Sequence, residues 1–185
     1  MVLLLAGCGA ARDPLPEYDP APAYSLIDQT DASFTSADVN GRVALVNFIY
    51  TRCTDACPLI TARMREIQER LKSEGLFGTQ VVLLSFSVDP QYDNPSVLAE
   101  YAQRFHADPA GWRFLTGDRE IVMQLLQHGW KIGAPDLGAP RGDDPNWMHS
   151  TRFVLVDRAG RVRGYPMYSD IELDGLVRDI RSLLT

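Results

Sequence analysis

The chain alternates short, uniformly apolar runs with longer stretches whose apolar residues recur at helical spacing. Val43 to Ile49 (VALVNFI) follows the turn pair Asn40-Gly41 and reads as a strand with both faces covered. Pro58 then opens a helix, where its missing N–H costs nothing, with Ile60, Met64, Ile67 and Leu71 on one stripe and Gly75 and Gly78 at the exit. Val81 to Val88 (VVLLSFSV) is the second strand. Asn94-Pro95 is a cap followed by a proline at the first helical position, and Val97, Leu98, Tyr101 and Phe105 share a face. Trp112 to Leu115 is a short strand. Asp118 caps a third helix that turns Ile121, Val122, Leu125 and Leu126 inward and ends at Gly129. Residues 133–147 are polar and without period, with Asp136, Asp143 and Asp144 in a candidate docking loop or a merely solvated one. Thr151 to Val156 and Arg161 to Tyr165 form a hairpin around Ala159-Gly160. Ser169 and Glu172 read as a capping box for a last helix lined by Leu173, Leu176, Val177, Ile180 and Leu184.

The order is β-α-β-α, an inserted β-α, then a β-hairpin and a closing helix. Without the insertion it is the thioredoxin topology, an α/β fold with a central sheet covered on both faces. Tyr24 to Asn40 adds a peripheral N-terminal β-hairpin. No internal repeat and no second domain interrupt residues 24–185.

Composition narrows the function classes. The chain has 185 residues, 45% apolar and 23% charged, so it carries a core of ordinary size for one domain. A net charge of −6 lacks the basic footprint of a nucleic-acid binder. No run of 18 apolar residues is present to span a bilayer. Three cysteines are too few for a disulfide scaffold.

One cysteine stands apart. Leu5-Ala6-Gly7-Cys8 resembles the lipobox of bacterial lipoproteins, in which the cysteine receives the lipid after cleavage. The seven residues before it contain no basic residue, so residues 1–8 read either as the truncated end of a lipoprotein signal or as a chance match. Residues 9–23, with Pro14, Pro16, Pro20 and Pro22, read as an extended tether, which favours the anchored reading.

The other two cysteines carry the chemistry. Cys53-Thr54-Asp55-Ala56-Cys57-Pro58 lies where the first long strand runs into its helix, and chemistry in open α/β sheets gathers at the carboxyl ends of strands. The helix N-terminus favours a thiolate, and a thiolate is both nucleophile and metal ligand. Cys57 is also in phase with the helix stripe, as a core residue would be, but the core reading leaves Cys53 unexplained and is the weaker of the two. His106 and His128 sit near helix ends, where a cation suits the dipole. His149 is different: it precedes the strand Thr151–Val156. If that strand runs antiparallel to Val43–Ile49, as the topology requires, His149 starts beside the two cysteines. Two soft sulfurs and an imidazole suit copper, as Cu(I) or Cu(II).

At these residues the chain resembles the Sco/SenC family of copper-binding, thioredoxin-fold proteins. The matching stretches are Tyr50-Thr51-Arg52-Cys53 through Cys57-Pro58, Ser87-Val88-Asp89-Pro90 with Asp93, Pro95 and Leu98, Phe114-Leu115-Thr116-Gly117, and His149-Ser150-Thr151 leading to Val156-Asp157 and Gly160. The resemblance implies copper ligands at Cys53, Cys57 and His149, with Asp89 close by as a group that orients them. It implies a copper metallochaperone that helps build the binuclear copper centre of cytochrome c oxidase subunit II, receiving copper from another chaperone. It also implies a membrane-anchored domain on the outer, periplasmic face of a bacterial cell. Thr54 departs from the proline common after the first cysteine, which should loosen the loop without removing a ligand. A lipobox replaces the more usual membrane helix. Two other functions fit the same residues: a thiol-disulfide reductase in which Cys53 and Cys57 are the redox pair, and a redox or copper sensor. His149 discriminates, because copper needs it and disulfide exchange does not.

Overall fold

The computed structural model describes residues 14–131, 151–170 and 172–184. Cys8, the loop 133–147 and His149 lie outside the described residues. The sheet has seven strands: β1 (Ser25–Asp28), β2 (Ser33–Thr35), β3 (Val43–Ile49), β4 (Val81–Ser87), β5 (Trp112–Thr116), β6 (Val154–Val156) and β7 (Val162–Gly164). Their order is β2-β1-β5-β4-β3-β6-β7, with β3, β4 and β5 parallel and the outer strands antiparallel. The helices are α1 (Ala56–Ser73), α2 (Pro95–Arg104), α3 (Arg119–Gln124) and α4 (Leu173–Ser182).

Every residue of β3 and β4 is buried, as central parallel strands require. Three of those residues are polar, and each needs a partner in the core. Ser85 Oγ donates to Asn47 Oδ1 at 2.6 Å and accepts the Trp112 indole N–H at 2.9 Å. Ser87 is bound to Asp93 near the cysteines. The α1 stripe is as expected, with Ile60, Met64, Ile67 and Leu71 at most 2% exposed. At the exit, Gly78 has φ +74° and lies against β5's approach; a Cβ there would sit 2.8 Å from the Ala110 carbonyl oxygen.

The N-terminal hairpin is present and joins the main sheet, β1 pairing with β5. Other expectations are corrected. Helix α1 begins at Ala56, two residues before Pro58. Ile121 is 52% exposed, because α3 runs into a π-helical turn, Leu125–Gly129, that rotates the face. The Ser169/Glu172 capping box is absent: Ser169 Oγ donates to Asp170 in a 3-10 turn, and α4 starts at Leu173 without a side-chain cap. The C-terminal strands are shorter than expected, yet their arms stay paired beyond them. Phe153 N–H donates to the Pro166 carbonyl at 2.9 Å and Tyr168 N–H to the Thr151 carbonyl at 2.8 Å, which fixes the entrance to β6.

The described part of the Pro-rich N-terminal segment runs along β7, the exposed edge of the sheet. Tyr18 N–H donates to the Val162 carbonyl at 2.9 Å, Val162 N–H to Asp19 at 3.2 Å and Ala21 N–H to Gly160 at 2.8 Å. Arg163 adds bonds to the Leu15 and Pro16 carbonyls. An edge strand left open is a template for pairing with other chains, and this segment covers it.

Candidate metal and redox site

The last residue of β3 hands the chain to a five-residue loop, Tyr50 to Thr54, and then to α1. Cys53 N–H donates to the Tyr50 carbonyl at 3.2 Å, which closes the turn and sends the Cys53 side chain toward the helix. Asp55 occupies the N-cap of α1 but makes no side-chain cap bond. The Cys57 N–H donates instead to Cys53 Sγ, at 3.3 Å. Sulfur thus takes the place of the oxygen that normally satisfies a helix's first N–H groups, and negative charge on it is favoured by the helix dipole.

The two thiols are free and buried, Cys53 6% and Cys57 4% exposed. Burial pushes the Cys53 thiol up, but it is outweighed by bonds to its sulfur from the backbone N–H groups of Cys57 and Asp55 and from the Cys57 and Tyr50 side chains, so its pKa lies below the usual value. Burial pushes the Cys57 thiol well up, and the neighbouring Cys53 thiolate adds to the shift. The two thiols are therefore unequal: of the pair, Cys53 gives up its proton first and Cys57 keeps its own.

Asp89 emerges where the sequence places it. Val88 N–H donates to the Ile49 carbonyl at 2.8 Å, so the residues after β4 leave the sheet beside the start of the cysteine loop. Arg52, next to Cys53, reaches Asp89 Oδ2 with Nη2 at 2.5 Å and Nε at 3.1 Å, and its guanidinium lies 4.4 Å over the Tyr92 ring.

Sequence reasoning gave Asp93 no role, and it is the strongest polar anchor of the site. The residue is fully buried. Its carboxylate accepts the Thr51 N–H at 3.2 Å, the Thr51 hydroxyl at 2.5 Å and the Ser87 hydroxyl at 2.6 Å. Burial raises its pKa, partly offset by those bonds, and Asp89 raises it further. The available signal was an acidic residue directly before the Asn94 cap, a place where a second capping carboxylate is redundant. Thr61 is the other silent participant. Its hydroxyl donates to the Cys57 carbonyl at 2.8 Å and contacts the Tyr101 hydroxyl at 2.9 Å, tying the first turn of α1 to α2.

His106 and His128 are exposed at the end of α2 and in the π-helical turn, outside the cysteine loop. Among the described residues, no three His, Cys, Asp or Glu side chains converge as a metal site. The antiparallel register of β6 on β3 (Val46 with Val154, Ala44 with Val156) brings the chain into β6 from the end of β3 that carries Tyr50 and Cys53. Among the described residues, no helix is long and apolar enough to cross a membrane.

A thioredoxin-like α/β protein with a paired-thiol site at the end of β3 is the class that this fold and geometry define. The SCO1/SenC family model matches residues 12–185, and the chain belongs to that family. It is 31% identical to the SCO1 protein homolog of Bacillus subtilis, over 99% of this chain and 92% of the relative. It is also 31% identical, over 92% of this chain and 79% of the relative, to a Stutzerimonas stutzeri protein designated copper-binding by name. Among solved structures, a SCO1/SenC family lipoprotein from Bacillus anthracis superposes with a TM-score of 0.81 at 28% identity, over 95% of this chain and all of the other. The Sco protein BsSco, described with a disulfide switch and as a member of the Sco family of cytochrome c oxidase assembly proteins, superposes at 0.76 with 29% identity, over 94% and 97% of the two chains.

Proposed function

We propose that this chain is a copper metallochaperone that assists assembly of the binuclear copper centre of cytochrome c oxidase, with Cys53, Cys57 and His149 as its ligands. The observation that carries the reading is the adjacent thiol pair at a helix N-terminus, where Cys53 Sγ already accepts an N–H and takes charge readily. Copper is the cargo, and thiolate and imidazole are the donors it prefers. The copper-binding designation of the Stutzerimonas relative and the oxidase-assembly description of BsSco support the same reading. His149 lies two residues before Thr151 in sequence, and Tyr168 N–H fastens Thr151 at the mouth of β6, on the side of β3 that carries the cysteine loop; this supports the choice of His149 as the third donor. Two or three ligands leave copper open to exchange, which is what delivery to the cysteines of subunit II requires. Arrival from a donor chaperone uses the same open side.

A second activity rests on the asymmetric thiols. With Cys53 as thiolate and Cys57 as thiol, the pair suits reduction of a partner's disulfide. Cys53 attacks one sulfur and forms a mixed disulfide. Cys57 then loses its proton to the departing thiolate and displaces the partner's remaining sulfur. The partner gains two electrons as a dithiol, and this chain becomes the disulfide. The two activities are compatible, because oxidised acceptor cysteines cannot take copper.

Asp89 fixes Arg52, the residue before Cys53, and acts on the copper site through it. Losing an outer group of this kind typically costs roughly 10- to 100-fold in affinity. Asp89→Ala is expected to weaken copper retention or transfer by that order with the unfolding midpoint little changed. Wild-type retention and transfer in this variant would reduce Asp89 to a turn residue.

We further propose attachment to the periplasmic side of the membrane through a lipid on Cys8, with the residues between Cys8 and the stretch docked on β7 (Leu15 to Ala21) as the connecting arm. Covalent lipid supplies the apolar area that the arm lacks. Cys8→Ser, expressed with the native upstream sequence, is expected to move the domain from the membrane fraction to the soluble one. Retention of the serine variant at the membrane would refute lipid anchoring at Cys8.

A further inference from the structure

The five large apolar side chains left exposed among the described residues are not spread evenly. Leu59 is 54% exposed in the first turn of α1, and Tyr92 is 47% exposed in the connection after β4. Ile121 is exposed in the first turn of α3, and Ile27 is exposed opposite Thr116, the last residue of β5. These four lie at the end of the sheet where β3, β4 and β5 finish, which is the end that carries the cysteines. The fifth, Tyr18, packs against Tyr165 on the N-terminal segment. Exposed apolar residues scattered singly need no explanation, whereas a gathering of them around a reactive pair marks an interaction surface.

Two of the four flank the thiols. Leu59 is two residues beyond Cys57. Tyr92 lies under the guanidinium of Arg52, the residue before Cys53, at 4.4 Å. Cys53 is itself buried, so a partner's sulfur reaches it only in contact with these neighbours.

The charged group beside them is Asp55. It is exposed, and its side chain forms no cap bond and no ion pair among the described residues. It stands at an N-cap, where a carboxylate normally accepts the N–H of the second or third helical residue. Neither is on offer. The second residue, Cys57, donates its N–H to Cys53 Sγ, and the third, Pro58, has none. Asp55 therefore caps nothing, and its charge is left to whatever approaches the cysteines. The neighbouring cation does not cancel it, because Arg52 is already paired with Asp89 at 2.5 Å.

We infer that Leu59, Tyr92 and Asp55 form the docking surface for the partner whose cysteines react with this pair, and that this partner carries an apolar side chain and a lysine or arginine next to its own cysteine. The inference rests on the thiol-disulfide exchange proposed above and adds the chemistry of the partner. A flank of acidic residues would meet Asp55 with the same sign, and a purely polar one would leave Leu59 and Tyr92 uncovered.

The probes are short synthetic peptides of one length, each closed by a disulfide between its two cysteines. They differ only in the two residues before the first cysteine: Leu-Lys, Leu-Glu or Ser-Lys. The rate at which the reduced protein opens each one is followed by chromatography at low salt. The Leu-Lys peptide is expected to react about threefold to fivefold faster than the Leu-Glu peptide, the scale of one exposed ion pair, and the advantage should shrink in high salt. Asp55→Asn should bring these two rates together, and Asp55→Lys should reverse their order. The Ser-Lys peptide should be slower than the Leu-Lys peptide, by a margin that Leu59→Ser and Tyr92→Ser each narrow. Every comparison is a ratio between peptides on one protein, so a change in Cys53 reactivity or in the stability of α1 cancels. Equal rates for the Lys and Glu peptides, or a ratio unchanged in Asp55→Asn, would overturn the inference and leave the exchange activity standing. The same peptides with serine for both cysteines, titrated while the Leu59 methyl resonances are followed by NMR, separate docking from chemistry. A saturable Leu59 shift with the Leu-Lys serine peptide, when no disulfide peptide is reduced, would support the docking surface and refute the exchange activity. No Leu59 shift with any serine peptide and no reduction would overturn both.

Discussion

Replacing either Cys53 or Cys57 by serine is expected to abolish stoichiometric copper binding and disulfide formation together, while the domain remains folded. Both activities need two sulfurs, and serine supplies a hard oxygen that copper(I) disfavours. The two variants should differ in their surviving thiol. Cys53 carries the lowered pKa because its sulfur accepts the backbone N–H groups of the first turn of α1. In Cys57→Ser the remaining Cys53 should therefore react with iodoacetamide at a lower pH than an ordinary cysteine does. In Cys53→Ser the remaining Cys57 is buried with a raised pKa and should react much more slowly. Equal reactivity of the two survivors would contradict the charge distribution assigned to the pair.

Asp93→Ala is expected to be the most destabilising single change near the site. The substitution leaves the Thr51 N–H, the Thr51 hydroxyl and the Ser87 hydroxyl without their acceptor. Each buried donor left unmade costs about 1–3 kcal/mol, so a loss of roughly 3 kcal/mol in urea unfolding is expected. The pH dependence has a defined sign. Burial holds the folded pKa of Asp93 above 3.8, so the folded state binds its proton more tightly than the unfolded state. The Asp93 contribution is largest below pH 3.8 and declines as pH rises through the raised folded value. The alanine protein should lack that segment of the stability curve. A variant with wild-type stability and the wild-type pH profile would show that Asp93 is not the anchor of the cysteine loop.

The parts of this account that were legible in the sequence are those fixed by local pattern. Short apolar runs rich in β-branched residues and bounded by turn signals read as covered strands, and β3 and β4 coincide with Val43–Ile49 and nearly all of Val81–Val88. The Asn94 and Asp118 caps were also legible, because a side-chain oxygen two or three residues ahead of an orphan N–H is a local device. The cysteine spacing and its place after β3 located the site. Long-range partnerships were not legible. Asp93 becomes the anchor of Thr51, 42 residues away in sequence, only because β3 and β4 are neighbours in the sheet. The start of α1 moved to Ala56 because Cys53 sulfur, and no Ser, Thr, Asp or Asn side chain, accepts the first-turn N–H. The π-helical turn after α3 has no signature in apolar spacing, and it is what puts Ile121 in solvent.

The central claim is that copper handling, and not disulfide exchange alone, is the function of the Cys53–Cys57 pair, with His149 as the third donor. His149→Ala separates the two, because it removes the proposed nitrogen donor and leaves both sulfurs. The measurement is parallel titration of the variant with Cu(I) and Cu(II), followed by cytochrome c oxidase assembly in cells carrying it. The account predicts that the thiols still oxidise to a disulfide, that Cu(II) binding falls far more than Cu(I) binding, and that assembly is lost. Full assembly without His149 would contradict the metallochaperone reading and leave thiol-disulfide reduction as the activity of the pair.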